Sequence, residues 1–406
     1  MNKAQIGYHV PMGHYGFFED AYSSHFSTLT PARALYELRL GSGSLLEKCT
    51  WYYGKRPAVL LAREAIQKYL NQNTKVPSSK ETKEKVLLIN GRFVFNEKIL
   101  KKLPLKGEDE IFLDSQKTIL AVRLNLSEIN LQSAFDINQA VQSISKKTVL
   151  SEADSILYPF DLVAQHLKNF NEDLAFYIKA NQLKAKSKGL YTKSKLPKQV
   201  EVDTSEGPIV IEENVSFEPF VFLKGPLFIG KDSQIKSFSR ILGSSLGPVT
   251  RVCGEISASI FDGYSNKQHE GFVGSSYIGR WVNLGAATTI SNLKNNYHPI
   301  SIFVHGQKIN SGMQFLGAMI GDHVKTGINT SIKCGSVYGF GSMIAPAKRE
   351  PKFVPPFSFI DDESHAVYDF NKFVEAVELT YSRRKHKLTS AEKDLFFHIY
   401  QKVIGE

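Results

Sequence analysis

From residue 207 onward the apolar positions of this chain fall six apart. Ile209, Val215, Val221 and Leu227 form one series, and Ile229, Ile235 and Ile241 resume it after a shift of two. Ile278, Leu284 and Ile290 repeat the pattern, as do Ile320, Thr326, Ile332, Tyr338 and Ile344, and glycine often follows, as in Ile229-Gly230, Ile278-Gly279 and Ile320-Gly321. Neither a helix nor a sandwich strand has this period. It predicts a parallel β-helix in which each hexad supplies one flat side of a triangular coil, the apolar residue points inward, and small residues permit the corners. Each coil then contacts mainly its neighbours, so the ends need caps.

The period fails between about 291 and 319, while 290 and 320 stay in phase. That segment is expected to be a structureless loop leaving one corner, and long excursions of this kind are commonly functional. The first ~180 residues carry a different pattern, short apolar runs alternating with helical spacing, which predicts an α/β domain with parallel strands. PAVLLAREAIQKYL (57–70) is an apolar run feeding a helix, while 85–95 and 117–125 have strand character. Leu162, Val163, His166, Leu167 and Phe170 place an amphipathic helix over 160–180. A Lys-rich stretch, AKSKGLYTKSKLPKQ, is expected to be a linker. At the C-terminus Phe370, Phe373, Val374, Val377 and Tyr381 share one helical face. A second helix, with Leu395, Ile399 and Val403 on one stripe, opens with a Thr389 to Glu392 capping box. Both are expected to cap the β-helix end.

Composition adds modest limits. Apolar residues at 42% and charged ones at 22% of 406 residues describe an ordinary globular protein of more than one domain. Neither an N-terminal apolar signal segment nor a membrane-length apolar run occurs, so a cytoplasmic protein without a membrane partner is expected. Cys49, Cys253 and Cys334 are widely spaced, which argues against disulfides and structural zinc. The formal charge of +10 favours anionic ligands such as nucleotides, phosphosugars or coenzyme A. Its basic bursts lack the aromatic interleaving of a nucleic-acid module, so no nucleic-acid partner is expected.

The segments LTPARALYELRLGSGSLLEK, LLINGRF, LYPFDLV, GYSNKQHEGFVGSSYIGRWVNLGAATTISNLKNNY, QFLGAMIGDHVKTGINT, FVPPFSF and YSRRKHKLT are spread through almost the whole chain. Together they resemble the bifunctional enzymes that make UDP-N-acetylglucosamine, the UDP-N-acetylglucosamine diphosphorylase and glucosamine-1-phosphate N-acetyltransferase family. A divergent branch described as sugar nucleotidyltransferases is similar at more positions. The resemblance implies an α/β nucleotidyltransferase-like domain (1–185), a linker (186–206), a left-handed parallel β-helix acting as acyltransferase (207–360) and a helical cap (361–406). It further implies a homotrimer, acetyl-CoA as co-substrate, Mg2+ for the nucleotidyl step, and a sugar-1-phosphate with UTP or dTTP as substrates.

Within the β-helix the resemblance places a catalytic histidine at His269 and asparagines at Asn283 and Asn292. The chemistry is consistent. Acetyl transfer needs an amine or hydroxyl to lose a proton while it attacks a thioester, and histidine has the near-neutral pKa for that task. A backbone N–H at Gly285-Ala286 is a candidate donor to the oxyanion, with Gly285, Ala286 and Ala345 as contacts for the coenzyme. Asn283 and Asn292, the latter beside the chemistry, suit sugar hydroxyls and the amide-rich pantetheine arm. Lys267 and Lys294 are candidate phosphate contacts. The chain departs from the better-known enzymes at Phe272 and Leu293, where they carry tyrosines, so the acceptor's identity is open.

In the first domain no Gly-rich GxGT-type loop occurs among the first 60 residues. TLTPARALYELRLGSGSLLEK stands in its place, and Arg33, Glu37, Arg39, Gly41 and Lys48 match the divergent branch, with Leu46 replacing an arginine. Arg33, Arg39 and Lys48 are candidate polyphosphate contacts. Asn90, a candidate substrate contact, stands where wider relatives have an aspartate, leaving Asp161 as the candidate metal and substrate ligand, with Asp20 and Asp114 candidates by position alone. Two rival functions remain open: nucleotidyl transfer with the β-helix as a trimerisation scaffold, and acyl transfer with a first domain that binds nucleotide sugars without chemistry.

Overall fold

The computed structural model describes residues 13–73, 85–125, 137–345 and 351–405. The chain divides into two compact units. One comprises residues up to Ser24, Ala32–Leu38 and Gly43–Leu157; the other comprises His25–Pro31, Arg39–Ser42 and everything from Tyr158.

The first unit is built on a six-stranded sheet in the order Val59–Leu60, His14–Phe18, Lys85–Asn90, Ile119–Asn125, Glu110–Leu113, Lys147–Val149. The pattern marks Lys85–Asn90 and Ile119–Asn125 as strands and singles out the apolar run holding Val59–Leu60, but not the other three, and its expectation of parallel strands holds only in part. His14–Phe18 is parallel to both its neighbours, whereas Ile119–Asn125 runs antiparallel to Lys85–Asn90 and to Glu110–Leu113, so the sheet is mixed. Continuous apolar strands are buried on both faces whichever way they run. On one face Val86, Leu88, Val122 and Leu124 join Phe18 and Val59 in a core. On the other, Phe17 stacks on Tyr36 at 5.1 Å and Tyr15 packs against Tyr53 at 4.4 Å. Tyr53 closes the helix Leu45–Tyr53, which starts at a Ser44/Glu47 capping box and stops at Gly54, left-handed at φ 66°.

The second unit is a parallel β-solenoid with helices at its two ends in sequence. Every inward position of the six-residue series is buried, and all but Thr326 join one continuous core. Leu227 pairs with Ile209 three hexads earlier, the full coil. The next coils are shorter, since Arg240 pairs with Glu255 and Glu255 with Phe272. Those short coils are why the period cannot be followed between 242 and 277. The coil stack also starts earlier than the hexads: Leu190–Thr192 pairs with Ile209–Ile211, and Val200–Asp203 with Val221–Lys224, within the stretch expected to be a linker.

Two faces are sheets of nine and seven strands. The third consists of two four-stranded sheets bridged by Asn283, which pairs with Asn266 on one side and Lys325 on the other. The corners are not confined to small residues. Phe220 (φ 61°), Phe238 (φ 61°), Val249 (φ 58°) and Trp281 (φ 61°) hold the left-handed conformation there, one that bulky side chains rarely adopt.

The excursion from 291 is not structureless. Ser301–Val304 and Gln307–Asn310 form a hairpin turned by His305 and Gly306, both left-handed as a two-residue turn requires. The stack closes across it: Ile278 pairs with Ile320, and Ile290 with Ile332. The helix Asp161–Ala180 buries Leu162, Val163, His166 and Phe170 as the spacing predicts, but Leu167 is half exposed. The helices Phe370–Ser382 and Ser390–Ile404 lie along one edge of the stack. Tyr381 packs on Trp281 at 4.4 Å, and Phe373 on Phe340 at 5.8 Å and Phe357 at 4.9 Å. Among the described residues no helix is long and apolar enough to cross a membrane.

Candidate functional site

The solenoid register decides which candidate residues can act together. His269 lies on the exposed bend that follows Asn266–Lys267, and its imidazole has no hydrogen-bond partner among the described residues. Because Asn266 pairs with Asn283, the same bend of the next coil holds Gly285 and Ala286, one strand spacing away, about 4.8 Å. Gly327 and Ala345 follow at this edge in the coils beyond, since Lys325 pairs with Met343. The fold therefore brings His269, Gly285, Ala286 and Ala345 onto one edge.

Hydrogen bonding narrows the oxyanion donor. The Gly285 N–H already donates to Thr326 Oγ1 at 3.0 Å, while that of Ala286 has no partner among the described residues. Gly285 must be glycine, because a Cβ there would collide with the Gly327 carbonyl.

Lys267 is not at the surface. It takes an inward position of the coil, in register with Val252, and is fully buried. Its ammonium donates to the carbonyl of His269 at 2.6 Å and to that of Glu270. Burial pulls its pKa down to about 8. Placed there, Lys267 fixes the bend that carries His269, a role the sequence offers no sign of unless the short coils are known. Asn292 sits at the other end of the following face, donating to Ser275 Oγ at 3.2 Å. Asn283 faces outward on the third face, and Lys294 donates to the Pro299 carbonyl within the excursion.

The candidates of the first ~180 residues fall into both units. Arg33 belongs to the first, where it donates to the Glu37 carbonyl at 3.3 Å in a loop held by Glu19, which accepts from Leu35 N–H and pairs with Arg63 at 2.7 Å. Lys48 is buried, its ammonium over the Phe95 ring at 5.8 Å. Arg39 belongs to the second unit. Its guanidinium is buried over Phe228 and donates to the Ser42 carbonyl at 2.6 Å, steadying a turn whose Ser42 N–H donates to Asp173.

Asn90 ends its strand buried, and all its polar atoms are engaged. Its amide donates to Asp20 at 2.9 Å and to the Ile119 carbonyl at 2.8 Å, and its oxygen accepts from Arg92 N–H at 2.9 Å. Arg92, overlooked in the sequence, grips Asp20 from two nitrogens at 2.6–2.9 Å and donates to the Ile156 carbonyl at 3.0 Å. Asp114 accepts from the N–H groups of Gln116 and Thr118 and from Ser155 Oγ. Asp161, in the second unit, accepts from Tyr158 N–H at the start of its helix. These carboxylates do not fit a magnesium site of the chain's own: Asp20 is neutralised by Arg92, and Asp114 and Asp161 close turns. The described residues also contain no group of three metal-ligating side chains.

Removing Arg92 takes the cationic partner from Asp20, whose side chain is only 12% exposed. Arg92→Met is expected to cost about 3–5 kcal/mol in denaturant unfolding, and adding Asp20→Asn should recover part of it; equal losses in the single and double variants would refute the pairing.

Residues 15–182 match the family model described as Sugar nucleotidyl transferase, which covers less than half of the chain. A bifunctional sugar-1-phosphate nucleotidylyltransferase/acetyltransferase from Sulfurisphaera tokodaii is 35% identical over 160 residues, covering 34% of this chain and 40% of that protein. The bifunctional protein GlmU of Methanococcus vannielii is 31% identical over 142 residues, 35% of this chain and 30% of its own. The chain thus spans well under half the length of these curated relatives. Among solved structures, the polySia specific acetyltransferase NeuO aligns with 45% of this chain and 87% of its own at 14% identity and a TM-score of 0.25, too low to bear on the fold.

Proposed function

We propose, taking as premise a nucleotidyltransferase-like α/β region followed by a parallel solenoid and relatives that carry both activities in one chain, that this protein is a transferase of nucleotide-sugar synthesis. Its solenoid transfers an acetyl group from acetyl-CoA to an amino-sugar-1-phosphate, and its first unit handles the nucleotide, UTP or dTTP. The observation that carries this reading is the exposed His269 on one edge with the N–H of Ala286, unpartnered among the described residues, one coil away.

In that arrangement the His269 imidazole removes a proton from the acceptor amine as its nitrogen attacks the thioester carbonyl. The Ala286 N–H donates to the oxygen that gains charge, and collapse releases the thiolate of coenzyme A, which leaves with the proton. Lys267 holds the bend from beneath. Asn292 and Lys294 stand on the neighbouring edge and in the excursion, where they suit contacts to the body of the acceptor. Assembly as a homotrimer, with coenzyme A along an inter-subunit groove, belongs to the same proposal.

A second reading has its own support: the Asp20–Arg92 pair and Asn90 favour a first unit that binds nucleotide without turning it over. One paired assay separates them. Thiol release from acetyl-CoA with glucosamine-1-phosphate, together with pyrophosphate release from UTP with N-acetylglucosamine-1-phosphate, supports the bifunctional reading. Thiol release alone supports a first unit that only binds. Pyrophosphate release alone would remove His269 from the chemistry.

A further inference from the structure

The third face of the solenoid presents a column of outward residues in successive coils: Arg251, Asn266, Asn283 and Lys325. The end of the helix Phe370–Ser382 and the turn after it close over this column. Between them lies a cavity of about 230 Å³, lined by Asn266, Trp281, Asn283, Lys325, Arg383 and Arg384 among others. Arg384 NH2 donates to Asn266 Oδ1 at 2.9 Å, its Nε is buried without an acceptor, and the Asn266 amide donates to Asn283 Oδ1 at 3.3 Å.

The electrostatics are one-sided. Among the described residues none of Arg251, Lys325, Arg383 and Arg384 forms an ion pair with a carboxylate, and no acidic residue lines the cavity. Burial draws Lys325 down to about 8, and burial with the neighbouring Arg251 and Arg383 lowers Arg384. Partly buried cations crowded together without a counter-charge are costly, and an anion with several acceptor oxygens relieves that cost while satisfying the orphaned Arg384 Nε.

We propose that this cavity binds a phosphoryl group, a phosphate monoester or pyrophosphate, held by Lys325, Arg383 and Arg384 with the Asn283 amide as a neutral donor. Trp281 forms an apolar wall, fixed by stacking on Tyr264 at 4.5 Å and on Tyr381 at 4.4 Å. The site uses neither His269 nor the first unit, so it stands or falls apart from the proposed acyl transfer.

The test is titration calorimetry and thermal melting of the full chain in chloride buffer with inorganic phosphate, pyrophosphate, coenzyme A and glucosamine-1-phosphate as probes. Saturable binding of pyrophosphate or phosphate with a rise in melting temperature is expected. Arg384→Met and, separately, Lys325→Met should each weaken it by about tenfold or more, while His269→Ala leaves it unchanged. If coenzyme A or glucosamine-1-phosphate loses affinity in the same variants, that molecule carries the phosphoryl group; if neither does, the site takes the free anion. Failure of every probe to bind saturably overturns the proposal, as does binding that survives unaltered in both variants.

Discussion

Under the proposed acyl transfer, His269→Ala is expected to slow the release of thiol from acetyl-CoA by about 10²–10⁴-fold, the range typical for a lost general base. The acetyl-CoA KM and the melting temperature should stay near wild type, because the imidazole is exposed and makes no hydrogen bond among the described residues. That combination distinguishes chemistry from architecture: a structural histidine would move stability and KM along with turnover. Lys267→Met gives the contrasting signature. Its ammonium no longer holds the His269 and Glu270 carbonyls, so turnover should fall through displacement of the bend, with the histidine intact. Retained turnover in His269→Ala would return the solenoid to the role of scaffold.

Lys325→Met is expected to stabilise the protein, by roughly 3 kcal/mol at pH 7. In an unfolded chain the amine ionises at its ordinary 10.5, whereas burial brings it to about 8 in the fold. Below pH 8 both states hold the proton, and the folded state carries the full cost of desolvating it. As pH rises from 8 towards 10.5 the folded state alone loses the proton, so the cost fades and the wild type gains on the variant. Urea unfolding in phosphate-free buffer at pH 7, 9 and 10.5 should therefore show an advantage for Lys325→Met that shrinks to nothing. An advantage independent of pH would assign the effect to packing. Lys267 shifts in the same sense, with burial outweighing the opposing influence of Cys253 and Glu270.

The solenoid was legible because its period is rigid: a residue such as Ile229 or Ile278 six places from the next has only one way to face in. Legibility ended where coils shortened. Lys267 was expected to contact phosphate, and only the pairing of Val252 with Lys267 shows that it turns inward. The column of Asn266, Asn283 and Lys325 could not be read from spacing, since the excursion separates its members and Arg384 reaches it from 118 positions away. His269 was singled out because its chemistry and its place in the resemblance agree. Arg92 was missed because nothing local marks a strand-end arginine as the partner of Asp20; that contact spans 72 positions and depends on how the sheet assembles. Strand direction in the first unit was equally silent, because buried strands such as Lys85–Asn90 and Ile119–Asn125 have the same apolar texture in either orientation.

The hairpin excursion leaves the stack between Ile290 and Ile320, yet the inward residues on either side pair as though it were absent. The coils thus keep their register across the insert, while Ile300, Ile302 and Leu316, all fully buried, anchor its base to the fold. With the buried anchors kept, the exposed Asn296 and the hairpin tip are free to vary, and under the proposed acyl transfer such variation is a route to a different acceptor that leaves the coil of His269 in place.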